Sequence, residues 1–187
     1  MEITNLRVRL RHDLSQAHQT LDDLVSTFDL ATYQGFAAFL LMHEAGFRAI
    51  GGSAIGRDRS MVFDLQDRAA RDLKTLGLAP LARPQDTKAE YAPEAVTYVV
   101  GGSRLGSKVL RKRWARSDDV RVRAAVSYFA APSYADTWRE FVDVAGREPS
   151  QTGRASRIVA DAQRLFELFA SLARISDPTG GVERTSA

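Results

Sequence analysis

The chain has 187 residues, a formal net charge of +3, and 44% hydrophobic, 26% charged and 9% aromatic residues. That is enough apolar material for one globular domain with a sizeable core, and too much for a disordered chain. Cysteine is absent, which excludes disulfide scaffolds, thiolate-bound zinc, iron–sulfur clusters and thiol nucleophiles together, so imidazole chemistry must come from His12, His18 or His43.

The longest apolar stretch, residues 35–42, is eight residues long. About 20 are needed to span a bilayer, so no membrane segment is expected. Residues 1–14 lack the apolar core and small-residue cleavage site of a secretory signal, and the expected location is cytoplasmic. Arginine carries the positive charge, 22 against four lysines, which either suits acidic ligands or partners or reflects the base composition of the gene.

In chain order, Leu6, Leu10, Leu14, Ala17, Leu21 and Leu24 recur every three or four residues. They predict a first helix capped by Thr4 or Asn5. A second helix starts near Thr32 and turns Tyr33, Phe36, Phe39, Leu40 and Phe47 inward, until the glycine-rich residues 51–56 break it. A third runs from about Ser60 to Leu76 with Gly77 as its stop, and 80–87 is a loop. Helical spacing returns from Glu90 or Pro93 to Trp114, across Gly101, Gly102 and Gly106, and again over 118–131, 133–146 and 153–175. The expectation is all-α: a single-domain bundle of seven or eight helices over residues 1–176, with a disordered tail at 177–187.

Two features resist a purely structural account. His18 shares a helix face with Leu14 and Leu21 and lies four residues before Asp22. A lone histidine on such a face is more often a core residue than a ligand. Gly101, Gly102 and Gly106 stand inside a helical pattern, where each glycine costs about 1 kcal/mol relative to alanine. Gly102 and Gly106, at i and i+4, share a face without side chains. That face serves either a flat ligand or close helix–helix packing. Taken together, an imidazole and a bare glycine face suggest a planar cofactor between them, as in a haem held by a proximal histidine.

The segment LRVRLRHDLSQAHQTLDDLV resembles the first helix of the biliverdin-producing haem oxygenases of bacterial type. YVVGGSRLGSKVL resembles their distal helix, with its Gly-Ser-x-Leu-Gly pattern, and the order and separation of the motifs agree over most of residues 5–175. The resemblance implies a haem-oxygenase-like bundle with haem between the first helix and a glycine-kinked distal helix. It implies an enzyme that opens haem to biliverdin with release of ferrous iron and CO, using O2 and electrons from a ferredoxin or an NAD(P)H-dependent reductase. By association it makes a bacterial phytochrome a receiver of the biliverdin.

Residue by residue, the resemblance implies His18 as the iron ligand and Asp22 as the carboxylate that orients its imidazole. Gly102 and Gly106 take the place of distal glycines whose backbone approaches the haem. Ser103 stands where animal members carry an aspartate that organises water, and Ser107 where a second glycine is usual. Arg11, two turns before His18 on the same face, and Arg139 are the cations offered to the propionates. Phe166 is an aromatic contact for the ring. No distal histidine is expected.

Arg104, Lys108, Arg111 and Lys112 share one further helix face, read either as solvated or as a docking surface for an acidic electron donor. His12 lies off the face of His18, and His43 reads as a core or rim residue of the second helix. The basic run at 111–113 has no helix-turn-helix signature beside it, so no nucleic-acid partner is expected. Two other readings stay open. One is a haem-binding or haem-sensing paralogue that does not cleave, favoured by Ser103 and Ser107. The other is a helical interaction or nucleic-acid-binding protein whose glycines serve packing.

Overall fold

The computed structural model describes residues 4–82 and 90–177. Its helices are α1 (Leu6–Asp13), α2 (Ser15–Thr27), α3 (Tyr33–Ile50), α4 (Gly56–Thr75), α5 (Pro93–Val96), α6 (Ser107–Trp114), α7 (Val120–Ala124), α8 (Ala135–Arg147) and α9 (Gly153–Ser176). Together they form one compact all-α bundle. Among the described residues the only extended pairing is an isolated bridge between Asn5 and Pro149. No helix among them is long and apolar enough to cross a membrane.

Side-chain caps set several of the starts. Asn5 accepts from the Val8 N–H, Thr32 from Gly35 and Thr152 from Ala155, each relieving a donor that the first helical turn cannot use. The first helix is not continuous, because Leu14 leaves helical geometry at φ −101° and ψ 5° and divides it into α1 and α2. The helix expected from Ser60 already begins at Gly56, whose φ of +54° suits glycine.

The helix expected over 118–131 shrinks to α7, capped by Asp119. The reason is a competitor for its donors: the buried Asp72 carboxylate, on α4, accepts the backbone N–H groups of Ser127 (2.9 Å) and Tyr128 (2.8 Å). Those donors are lost to a continued helix, and the segment turns instead. Residues 83–89, which include most of the expected 80–87 loop, and residues 178–187 of the expected tail lie outside the described residues.

At the centre lies α3, buried on nearly all sides and packed on α4 and α9. Its Phe36 stacks on Phe39 and on Phe129, with ring centroids 6.3 and 5.9 Å apart. Glycine at 46 is required by close approach: a Cβ there would stand 2.2 Å from Cε1 of Phe169. On α9, Asp161 accepts the Ala92 N–H at 2.8 Å and pairs with Arg164 at 2.7 Å. It thereby fixes the chain at the entry to α5, where Pro93 occupies the first turn.

Between α5 and α6 the predicted glycine helix is irregular. A π-helical turn spans Thr97–Gly101 and a 3-10 turn spans Arg104–Gly106. Wide and tight turns in succession are a common signature of a functional segment.

Candidate functional site

A cavity of about 810 Å³ opens between α1–α2 on one side and the irregular α5–α6 segment on the other. Ligand pockets span about 300–1,000 Å³, so this one is large. Phe39, Met42 and Phe47 of α3 form its floor, and Trp138, Phe141, Phe166 and Phe169 of α8 and α9 line it further. The walls are mostly apolar, with cations from α1 among them.

His18 stands in this cavity with its side chain 58% exposed, and α2 has no buried residue at all. The core-histidine reading therefore fails. Its Nδ1 lies 3.4 Å from Oδ2 of Asp22, and the ring meets Phe166 edge-on at 5.7 Å. With Nδ1 turned to a carboxylate, Nε2 is the nitrogen left to bind a metal or a ligand. Among the described residues no three His, Asp or Glu side chains gather as a metal cluster. His12 is exposed, with Nδ1 2.9 Å from its neighbour Asp13.

Seven of the eight residues singled out from the sequence line the cavity: Arg11, His18, Asp22, Gly102, Ser103, Gly106 and Phe166. Arg139 does not. It is 70% exposed and paired with Asp136 at 3.1 Å, one position past Trp138, which turns inward in its place. Arg7 joins Arg11 at the α1 wall. Near Arg11 lies Tyr98, whose hydroxyl pKa is raised by burial, against the opposing effect of that cation.

The two glycines differ. A Cβ on Gly102 would meet the Trp138 indole at 3.4 Å, so this position is covered by packing. One on Gly106 would meet nothing within 4 Å, so this position is open. Ser103 donates its hydroxyl proton to the Val100 carbonyl and Ser107 to that of Arg104, both at 2.7 Å. Each hydroxyl proton is held by a backbone carbonyl, which leaves the oxygen acceptor capacity only.

Three residues of the inner wall were not read as site residues from the sequence. His43 is buried yet borders the cavity, with Nδ1–H donated to the Phe39 carbonyl at 2.8 Å and a pKa pushed down to about 4, chiefly by burial, then by nearby Arg104. Tyr128 packs on it at 5.0 Å, its hydroxyl pushed up to about 12 by burial against the opposing charge and hydrogen bond of Arg104. Arg104 itself corrects the predicted basic stripe. It is 5% exposed and turned inward, while Lys108, Arg111 and Lys112 remain on the surface. The 3-10 turn rotates it away from its expected face. Arg113, half-buried, donates to the carbonyls of Ser26 and Phe28 and so ties α6 to the end of α2.

Comparison with protein-family models and with curated proteins finds no match for this chain.

Proposed function

We propose that the chain is a haem oxygenase, which opens haem to biliverdin with release of ferrous iron and CO, using O2 and electrons from a ferredoxin or an NAD(P)H-dependent reductase. The observation that carries the reading is His18, half-exposed in a large apolar cavity, close to Asp22 and sharing that cavity with the glycine segment, which is open at Gly106. A single imidazole is one ligand, which suits an iron whose remaining ligands come from a macrocycle. The site residues fit that group: an imidazole with a carboxylate behind it, aromatic walls, and Arg7 and Arg11 for its carboxylates.

When bound, haem supplies both the iron at which O2 is reduced and the ring that is oxidised. His18 would ligate through Nε2, with Asp22, 3.4 Å from Nδ1, favouring the proton on that nitrogen. Arg7 and Arg11 would pair with the propionates. Gly106 leaves space beside the backbone, and the rings of the floor exclude water. Ser103 can accept a hydrogen bond from water but offers no proton, its own being held by Val100.

That last feature favours a second reading, a haem carrier or sensor that does not cleave. The working context of the first is a cytoplasmic enzyme, with a bacterial phytochrome as one receiver of biliverdin. Haemin titration followed by reductant separates these. A Soret band that His18→Ala abolishes or alters is expected, then biliverdin absorbance on adding ascorbate or reduced ferredoxin. A stable complex without biliverdin selects the carrier, and no Soret band in the wild type removes both.

A further inference from the structure

Arg104 is a buried cation at the cavity wall without a carboxylate beside it. Its Nε has no hydrogen-bond partner, and its Nη2 reaches the Ala131 carbonyl only at 3.5 Å. The guanidinium lies 5.4 Å from the centroid of the Tyr128 ring, and among the described residues no salt bridge is formed by it. Its neighbour His43 is neutral, with its one N–H spent on Phe39. The Arg104 guanidinium meets the Tyr128 hydroxyl and ring, but burying it with its Nε–H unsatisfied and its charge unpaired is costly. A packed aliphatic side chain would fill the same space at lower cost. The arrangement makes sense where negative charge arrives from outside.

We infer that Arg104 is an anion anchor on the inner wall of the cavity. It takes a negatively charged group, either a carboxylate of the large ligand or a small anion that enters beside it. This wall is distinct from the Arg7 and Arg11 side, so the occupant presents charge to two regions of the cavity. The inference rests on the reading of the cavity as a tetrapyrrole site for one of its two probes. The other probe is independent of it.

In the first arm the metal-free chain is titrated with iron-free protoporphyrin IX and with its dimethyl ester, following tryptophan fluorescence. Arg104→Met weakens the diacid tenfold or more and leaves the ester unchanged if the ligand's carboxylate is the source, and Arg104→Lys restores part of the loss. In the second, sodium azide at constant ionic strength raises the melting temperature of the wild type but not of Arg104→Met if a small anion is the source. Without any anion, Arg104→Met is expected to melt higher than the wild type. A purely structural arginine gives the opposite pattern, a lower melting temperature with both probes unaffected, and that result overturns the inference. Should Arg104→Met not fold, the Nε–H resonance of Arg104 in the wild type decides: unmoved by azide and by protoporphyrin IX, it overturns the inference too. Absence of a Soret band with haemin would sink the haem reading and leave the azide arm to decide this one.

Discussion

The packed half and the hollow half of the bundle are made of helices with similar apolar stripes, and they differ in what those stripes meet. Of the 18 residues of α3, thirteen are buried, against neighbours on α4, α9 and the 128–129 turn. On α2, Leu21 and Val25 line the cavity and no residue is buried. Sequence periodicity reports that a helix has an apolar face. It does not report whether protein or space lies opposite, and the polar residue set into that face, His18 on α2 or His43 on α3, acquires its meaning from the answer.

The sharpest test of the contrast replaces one phenylalanine in each half. Phe36 is fully buried between Phe39, Phe129 and Trp114, and Phe36→Ala should cost about 4 kcal/mol, a transfer term plus an unrelaxed void. Phe166 is buried almost as deeply but has the cavity on one side, where it has no dispersion partners to lose. Phe166→Ala should cost about 2 kcal/mol by urea unfolding. Equal costs would show that the hollow half is packed as tightly as the other.

The pH dependence of stability probes the border between the halves, where His43 sits. Its pKa is lowered to about 4 in the folded chain from 6.5, so below pH 6.5 the unfolded chain takes up a proton that the folded chain refuses. Stability is therefore lost as pH falls through that window, by roughly 3 kcal/mol in full. Asp72, raised by burial, contributes in the opposite sense, since the folded chain accepts its proton more readily. Comparing the wild type with His43→Gln cancels that term. The variant should lack the loss between pH 6.5 and 4, and a parallel decline in both would place His43 in water.

Much of the fold and site was legible in the sequence, and each failure has a physical origin. The cap at Asn5, the helix start near Thr32 and the His18–Asp22 pair could be read because each depends on local spacing within regular helix. Arg104 could not, because a helical wheel advances about 100° per residue only in α-geometry. The π turn at Thr97–Gly101 just before it and the 3-10 turn at Arg104–Gly106 that it opens break that rule. Arg139 lies outside the cavity lining for a smaller reason, a one-residue difference from Trp138 on α8. The turn at 125–131 depends on Asp72, more than fifty residues away, which no local pattern contains.

Asp72 supplies the next test. Its carboxylate holds the turn that carries Tyr128 and Phe129, and so shapes both the packed core and the cavity wall. Asp72→Asn keeps one acceptor oxygen and should cost about 2 kcal/mol, the price of one unsatisfied buried N–H with its displaced neighbour. If the turn belongs to both halves, the same variant alters the near-ultraviolet signal of Trp114, which packs on Phe129 at 5.6 Å, and weakens haemin binding together. A change in one signal alone would assign the turn to that half.

The smallest effect separates exposed apolar residues that face the cavity from those that merely face water. Val109, on α6, is 65% exposed and borders the cavity, while Ile175, near the end of α9, is equally exposed and does not. Single exposed apolar residues need no explanation in themselves. Either residue changed to serine should alter stability by less than about 0.5 kcal/mol, since neither is packed in the chain alone. A ligand filling the cavity would cover Val109 and leave Ile175 in water. Val109→Ser should then weaken haemin roughly fivefold, equivalent to about 1 kcal/mol of apolar burial, with Ile175→Ser unchanged. Equal haemin affinity in both variants would mean that the occupant stops short of α6, and with it that the glycine segment is a wall of the cavity without being a wall of the site.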